Sequence, residues 1–137
     1  MRAFIRGSLV LSLVILGGLG RSEAQDQLTK RDQQGPVTVV VTLVPPPAAG
    51  APIKAKIVLD THSVGLDGIA LDRAVVMWVD GAEVPPTAVE QASGGGHHRE
   101  AVLVFPPPAQ PGPVRIVVRN VGGVAERSFS WELPPAR

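Results

Sequence analysis

Short runs of alternating apolar and polar residues, separated by proline and glycine, are the feature that most constrains the fold of this chain. A period of two places one side of a strand against a core, and it is clearest at residues 53–60, 114–120 and 124–133. The 137-residue sequence contains 15 glycines and 14 prolines. Many of them lie in connectors such as Pro45-Pro46-Pro47 and Gly122-Gly123, which cannot continue a strand. The pattern therefore predicts β-structure with little helix.

Seven such runs can be counted along the chain. They lie at residues 37–44, 53–60, 74–80, 84–90, 99–105, 114–120 and 124–133. This spacing predicts an all-β fold, an immunoglobulin-like antiparallel two-sheet sandwich of about seven strands. Antibody domains pack a tryptophan against a disulfide, but this chain has no cysteine. Trp78, in the third run, is the residue we expect to fill the equivalent place. The expected core comprises Ile57, Leu59, Trp78, Leu103, Ile116, Val118, Phe129 and Trp131.

Residues 1–24 have the three-part pattern of a secretory signal peptide. Arg2 and Arg6 give a positive start, and the apolar run at 7–20 is shorter than the roughly 20 residues of a membrane span. Ser22-Glu23-Ala24 has the small-x-small form that signal peptidase cleaves. We therefore expect a periplasmic or extracellular protein without a membrane span after cleavage. A flexible polar lead-in at 25–35 would precede one sandwich domain at 36–137.

Charge and composition exclude several functions. Loss of residues 1–24 would change the formal net charge from +1 to −1 and leave four aromatic side chains, so no basic stripe remains for nucleic acid. The absence of cysteine excludes disulfides, thiolate metal sites and a lipoprotein attachment site.

The three histidines are confined to two loop-like segments. His62 follows the second run, whereas His97 and His98 follow Gly94-Gly95-Gly96 and precede the fifth run. In a sandwich, alternate connections share one end, so the loops after the second, fourth and sixth runs should lie together. Imidazole is the commonest metal ligand in proteins. We therefore predict a metal site formed by His62, His97, His98 and the carboxylate of Asp60.

The sequence leaves two alternatives open. Adjacent residues of a strand point to opposite faces, so His97 and His98 can both act as ligands only if the glycines let the backbone turn. Without a metal, His62 could instead bond Thr61, Ser63 or a backbone carbonyl and so order the loop after the second run.

The residues that are absent narrow the choice of metal. Blue copper needs a cysteine thiolate, and a cuprous thioether site needs more methionines than Met77. A histidine brace needs histidine at the mature N-terminus, where this chain would have Gln25. Histidine with carboxylate favours Zn²⁺ or Cu²⁺. Calcium through Asp60, Asp67 and Asp72 is a weaker alternative because the segment lacks alternating acidic ligands.

Residues 58–67, followed by Gly95-Gly96-His97-His98-Arg99 and residues 102–106, resemble a group of small exported bacterial and archaeal proteins. These proteins pair a Thr-His-Ser segment with a Gly-Gly-His-His segment, and the resemblance covers about half of the mature chain. The resemblance implies that the two segments belong to one site but says nothing about the chemistry of that site.

The sequence carries no recognised catalytic motif, which favours a binding protein over an enzyme. Glu100 could serve a metal-bound water as base, and strand alternation should place it on the side of His98. The alternative to a secreted metal-binding module is a structural or adhesive domain that offers its edge strands to another protein. Its proline-rich connectors would then act as spacers.

Overall fold

The computed structural model describes residues 27–135. The predicted signal peptide at 1–24 and the start of the lead-in lie outside this range. Within it, no helix has the length and apolar character needed to cross a bilayer. The described elements are β1 (Thr29–Asp32), β2 (Val37–Leu43), β3 (Ile53–Thr61), α1 (Leu71–Ala74), β4 (Val75–Val79), β5 (Ala82–Val84), β6 (Ala88–Gly95), β7 (His98–Phe105), β8 (Gly112–Val121) and β9 (Val124–Leu133).

The strands form two antiparallel sheets, which confirms the predicted all-β sandwich. One sheet has the order β1-β2-β3-β7-β6, and the other has the order β5-β4-β8-β9. If β2 is taken as the first strand of an immunoglobulin fold, its sheet reads A-B-E-D and the facing sheet C′-C-F-G. β1 is an additional strand outside β2. This order makes β3 and β7 direct neighbours inside the larger sheet.

The described residues form nine strands where the sequence predicts seven. The predicted run at 84–90 divides into β5, in the smaller sheet, and β6, in the larger sheet. Pro85 and Pro86 separate the two strands. Since proline has no amide hydrogen to donate, the chain leaves one sheet here and joins the other.

β1 is the other additional strand, and it lies within the predicted flexible lead-in. Its residues pair with β2 in antiparallel register, from Thr29 opposite Thr42 to Asp32 opposite Val39. The hydroxyls of Thr29 and Thr42 are 2.9 Å apart, and Lys30 Nζ lies 5.7 Å from the centre of the Trp131 ring. These partners are distant in sequence, so the local polarity of residues 25–35 does not reveal the strand.

The core matches the expected residues except at one tryptophan. Trp131 is 8% exposed and packs in the core with Phe129 and Ile116. Trp78 is half-buried on the outer face of the smaller sheet, where the Arg115 guanidinium lies 5.5 Å from its ring centre. Met77, its neighbour, is fully buried and takes the inward position. The prediction that Trp78 fills the core is therefore wrong.

A buried arginine closes the end of the sandwich that carries the histidine segments. Arg127 is 1% exposed and donates hydrogen bonds to Asp32 Oδ1 at 2.9 Å, to the carbonyl of Val37 at 2.8 Å and to that of Val121 at 3.0 Å. Val37 pairs with Thr61 at the end of β3. Arg127 thus ties β1, β2 and the end of β8 together beside the candidate site.

Candidate functional site

The two histidine segments lie side by side, as expected because alternate connections of a sandwich share one end. β3 ends where β7 begins, and Asp60 is the register partner of His98. Past the end of β3, the amide of Thr61 donates to the carbonyl of His97 at 3.0 Å, and the amide of Leu66 donates to the carbonyl of Gly96 at 2.8 Å. Backbone pairing therefore holds both segments at one end of the larger sheet.

His98 lies between two carboxylates on the outer face of this sheet. Its Nδ1 is 2.5 Å from Asp60 Oδ1, and its Nε2 is 3.6 Å from Glu100 Oε2. Asp60 is the cross-strand partner, whereas Glu100 is two residues further along β7 and so faces the same side. Glu100 therefore lies on the side of His98 that alternation predicts. Each ring nitrogen has its own acidic neighbour.

The carboxylates change the protonation of the ring. The hydrogen bond with Asp60 raises the pKa of His98 above its ordinary value, and the negative charges of Asp60 and Glu100 act in the same direction. Desolvation of the ring lowers the pKa but does not outweigh the carboxylates. Because the His98 side chain is 51% exposed, proton exchange with solvent is direct.

Glu100 has further polar neighbours on the same face. Lys56 Nζ on β3 is 3.5 Å from Glu100 Oε2, the oxygen that faces His98 Nε2. Ser93 Oγ on β6 donates to Glu100 Oε1 at 3.5 Å. Three adjacent strands thus contribute side chains around a single carboxylate.

Arg99 holds the loop between β3 and α1 against the start of β7. One nitrogen of its guanidinium, Nη1, donates to the carbonyl of Leu66 at 3.0 Å and also to that of Ile69. Leu66 is fully buried, which anchors the loop in the core. Sequence reasoning did not identify this role of Arg99, since Arg99 and its acceptors are about thirty residues apart.

Asp67 binds the glycine-rich turn between β6 and β7. Its Oδ1 accepts a hydrogen bond from the amide of Gly96 at 2.9 Å. Gly94 has a φ of +83°, and a Cβ there would lie 2.3 Å from the carbonyl oxygen of His98, so only glycine fits without displacement. Asp67, considered above as a calcium ligand, orders the turn that carries His97.

His62 and His97 have exposed side chains in the loops next to this array. The loop after β3 is ordered by Thr61, whose hydroxyl donates to the carbonyl of Pro36 at 2.8 Å. The same hydroxyl accepts from the amides of Ser63 and Val64. Within residues 27–135, no group of three or more His, Cys, Asp or Glu side chains is arranged to hold a metal ion. The predicted ligands thus share one end of the fold, and of the four only Asp60 and His98 form a close side-chain pair among the described residues.

Comparison of the chain with family models, with curated proteins and with solved structures finds no match.

Proposed function

We propose that the protein is an exported module that binds Zn²⁺ or Cu²⁺ through His98 Nε2 and the carboxylate of Glu100. The observation that carries this proposal is the 2.5 Å contact between Asp60 Oδ1 and His98 Nδ1. Metal-ligating histidines usually donate their second ring N–H to a carboxylate, which fixes the tautomer and directs the other nitrogen to the metal. Asp60 then orients His98 and is not itself a ligand.

The spacing of the two proposed ligands supports this arrangement. His98 Nε2 and Glu100 Oε2 are 3.6 Å apart. Two ligand atoms on one tetrahedral ion, with bonds of about 2.0 to 2.2 Å, are about 3.3 to 3.6 Å apart. The separation of His98 Nε2 and Glu100 Oε2 lies at the upper end of this range. Both groups are partly exposed, so an ion can reach them from solvent.

His62 and His97 are the candidates for a third ligand. Both are exposed in loops whose backbones adjoin the start of β7. A zinc site with three protein ligands leaves its fourth position to water. We propose that one of these two histidines turns toward His98 when the ion binds. A second imidazole ligand suits Zn²⁺ and Cu²⁺ better than the hard cations.

Calorimetric titration of Zn²⁺ and Cu²⁺ into protein without a histidine tag tests this function. His98→Gln should abolish binding, and Asp60→Asn should weaken it by about 10- to 100-fold, as loss of an orienting carboxylate does. Asp72→Asn is the matched control, since it removes an exposed carboxylate in α1. His62→Ala and His97→Ala identify the third ligand. If wild type binds neither ion more tightly than roughly 100 μM, far weaker than structural zinc sites, the proposal fails.

The alternative function is a structural or adhesive domain, and one observation favours it. β6 forms an edge of the larger sheet, and all eight of its residues are exposed. An edge strand offers backbone donors and acceptors to a strand from another protein. A register shift between Glu90 and Ser93 interrupts the regular pairing of this strand with β7. If the metal titration fails while the fold is intact, this becomes the better account.

A further inference from the structure

A lysine lies at the carboxylate oxygen that we propose as a metal ligand. Lys56 Nζ is 3.5 Å from Glu100 Oε2, and His98 Nε2 is 3.6 Å from the same oxygen. The metal-binding function proposed above, on which this inference rests, requires an ion between these two groups. An ammonium group and a metal ion would therefore compete for one oxygen.

The exposure of the Lys56 side chain allows its ammonium group to move away from Glu100. Its side chain is 46% exposed and that of Glu100 is 31% exposed. Ion pairs at such a surface contribute little to stability, because water solvates both charges and the lysine side chain loses conformational freedom in the pair. An ion that gains both the carboxylate and the imidazole can displace the lysine, since the ammonium interacts with the carboxylate alone.

We propose that Lys56 is an internal competitor that sets the metal affinity of the site. Its ammonium neutralises Glu100 and must move aside before an ion can bind between Glu100 and His98. After displacement its positive charge still repels the divalent ion at short range. Both effects weaken binding, so the ion stays exchangeable.

The neighbouring lysine provides a matched control. Lys54 lies two residues earlier on β3 and pairs with Glu90 at 3.1 Å on the same outer face. Its side chain is 43% exposed, close to the value for Lys56. Lys54→Met and Lys56→Met each remove one positive charge and keep a long apolar side chain. Only the second substitution removes a cation from Glu100.

The experiment is a calorimetric titration of Zn²⁺ into wild type, Lys54→Met and Lys56→Met at one pH and ionic strength. We expect Lys56→Met to bind about three- to tenfold more tightly than wild type, as loss of one exposed ion pair and its repulsion would produce. Lys54→Met should change the affinity by less than about twofold, since its charge is screened over a longer distance.

The outcomes separate this inference from the proposed function. If wild type binds Zn²⁺ and Lys56→Met binds no more tightly than Lys54→Met, Lys56 is not a competitor, although the metal site stands. If wild type binds no Zn²⁺, the proposed function fails, and this inference fails with it.

Discussion

Asp60 on β3 and His98 on β7 are direct cross-strand partners, and Asp60 Oδ1 lies 2.5 Å from His98 Nδ1. The two residues are 38 positions apart in sequence. They meet because the sheet order places β3 next to β7, and antiparallel pairing brings the end of one strand to the start of the other. The side-chain contact therefore depends directly on strand register.

The first prediction concerns the protonation of His98. Its pKa should lie above the reference value of 6.5, chiefly because of the hydrogen bond with Asp60. Asp60→Asn should lower the pKa, since the amide carries no charge to favour imidazolium. Titration of the ring proton shifts by nuclear magnetic resonance measures both values. Asp72→Asn is the control, and an unchanged midpoint in Asp60→Asn would contradict the assignment.

The raised pKa of His98 also determines the direction in which its contribution to stability changes with pH. A group with a higher pKa in the folded than in the unfolded state binds protons more readily when folded. The stabilising contribution of His98 is therefore fully present below its unfolded pKa and is lost as pH rises through its folded pKa. In urea denaturation, the difference between wild type and His98→Gln should be larger at pH 5.5 than at pH 8.5.

The second prediction concerns the buried Arg127. Arg127→Ala removes hydrogen bonds to Asp32, Val37 and Val121 and leaves the carboxylate of Asp32 without its guanidinium partner. We expect a loss of about 3 to 5 kcal/mol in the free energy of unfolding, as for one broken buried pair. Arg119→Ala, which breaks partly exposed pairs with Glu83 and Glu126, should cost about 0 to 1 kcal/mol. Equal losses in urea denaturation would refute the anchoring role.

The third prediction follows from Asp32. Burial raises the pKa of this carboxyl, but hydrogen bonds from Gln34 and the charge of Arg127 outweigh burial and lower it below 3.8. A lowered pKa stabilises the fold above the unfolded pKa, and this contribution is lost as pH falls through the folded pKa. The destabilisation caused by Asp32→Asn should therefore shrink as denaturation is measured from pH 7 toward pH 2. A difference that is constant with pH would count against this pairing.

The fourth prediction compares the two tryptophans. Trp131→Ala should cost about 3 to 5 kcal/mol because it empties a core position. Trp78→Ala should cost about 1 kcal/mol, since it removes a half-buried ring and its contact with Arg115. Thermal denaturation followed by far-ultraviolet circular dichroism gives both values. A larger loss in Trp78→Ala would reverse the structural assignment of the two rings.

These two tryptophans also show what periodicity can and cannot predict. Phe129 and Trp131 alternate with serines, so the inward face of β9 can be identified from sequence. The middle of the third run reads Val75-Val76-Met77-Trp78-Val79, and because all five residues are apolar, the pattern does not reveal which of them face the core. The structure places Met77 inside and Trp78 outside. Only tertiary packing determines this choice.

The candidate site, too, could be predicted from the sequence only in part. Because alternate loops of a sandwich share one end, the order of the strands along the chain is enough to place the segments of His62 and His98 together. The Asp60–His98 contact requires the register of β3 on β7, which periodicity does not specify. The neighbours of Glu100 also require it, because Lys56 and Ser93 come from the two flanking strands.

We propose that the protein is exported. Intact-mass analysis of secreted protein would test this by showing a chain that starts at Gln25.

The fifth prediction links the glycine-rich turn to His98. Gly94 has a φ of +83°, and an added Cβ would lie 2.3 Å from the backbone oxygen of His98. Gly94→Ala must therefore shift the first residues of β7 as well as strain the turn, at a cost of about 1 to 3 kcal/mol or more. Because that shift moves the ring of His98 away from Asp60, the pKa of His98 should fall in this variant.

Gly65→Ala is the control for that substitution, since a Cβ at Gly65 would meet no atom within 4 Å. It should leave both the free energy of unfolding and the pKa of His98 close to those of wild type. Urea denaturation and the nuclear magnetic resonance titration supply the two measurements. If Gly94→Ala lowers stability but leaves the pKa of His98 unchanged, the turn supports the fold without positioning the ring.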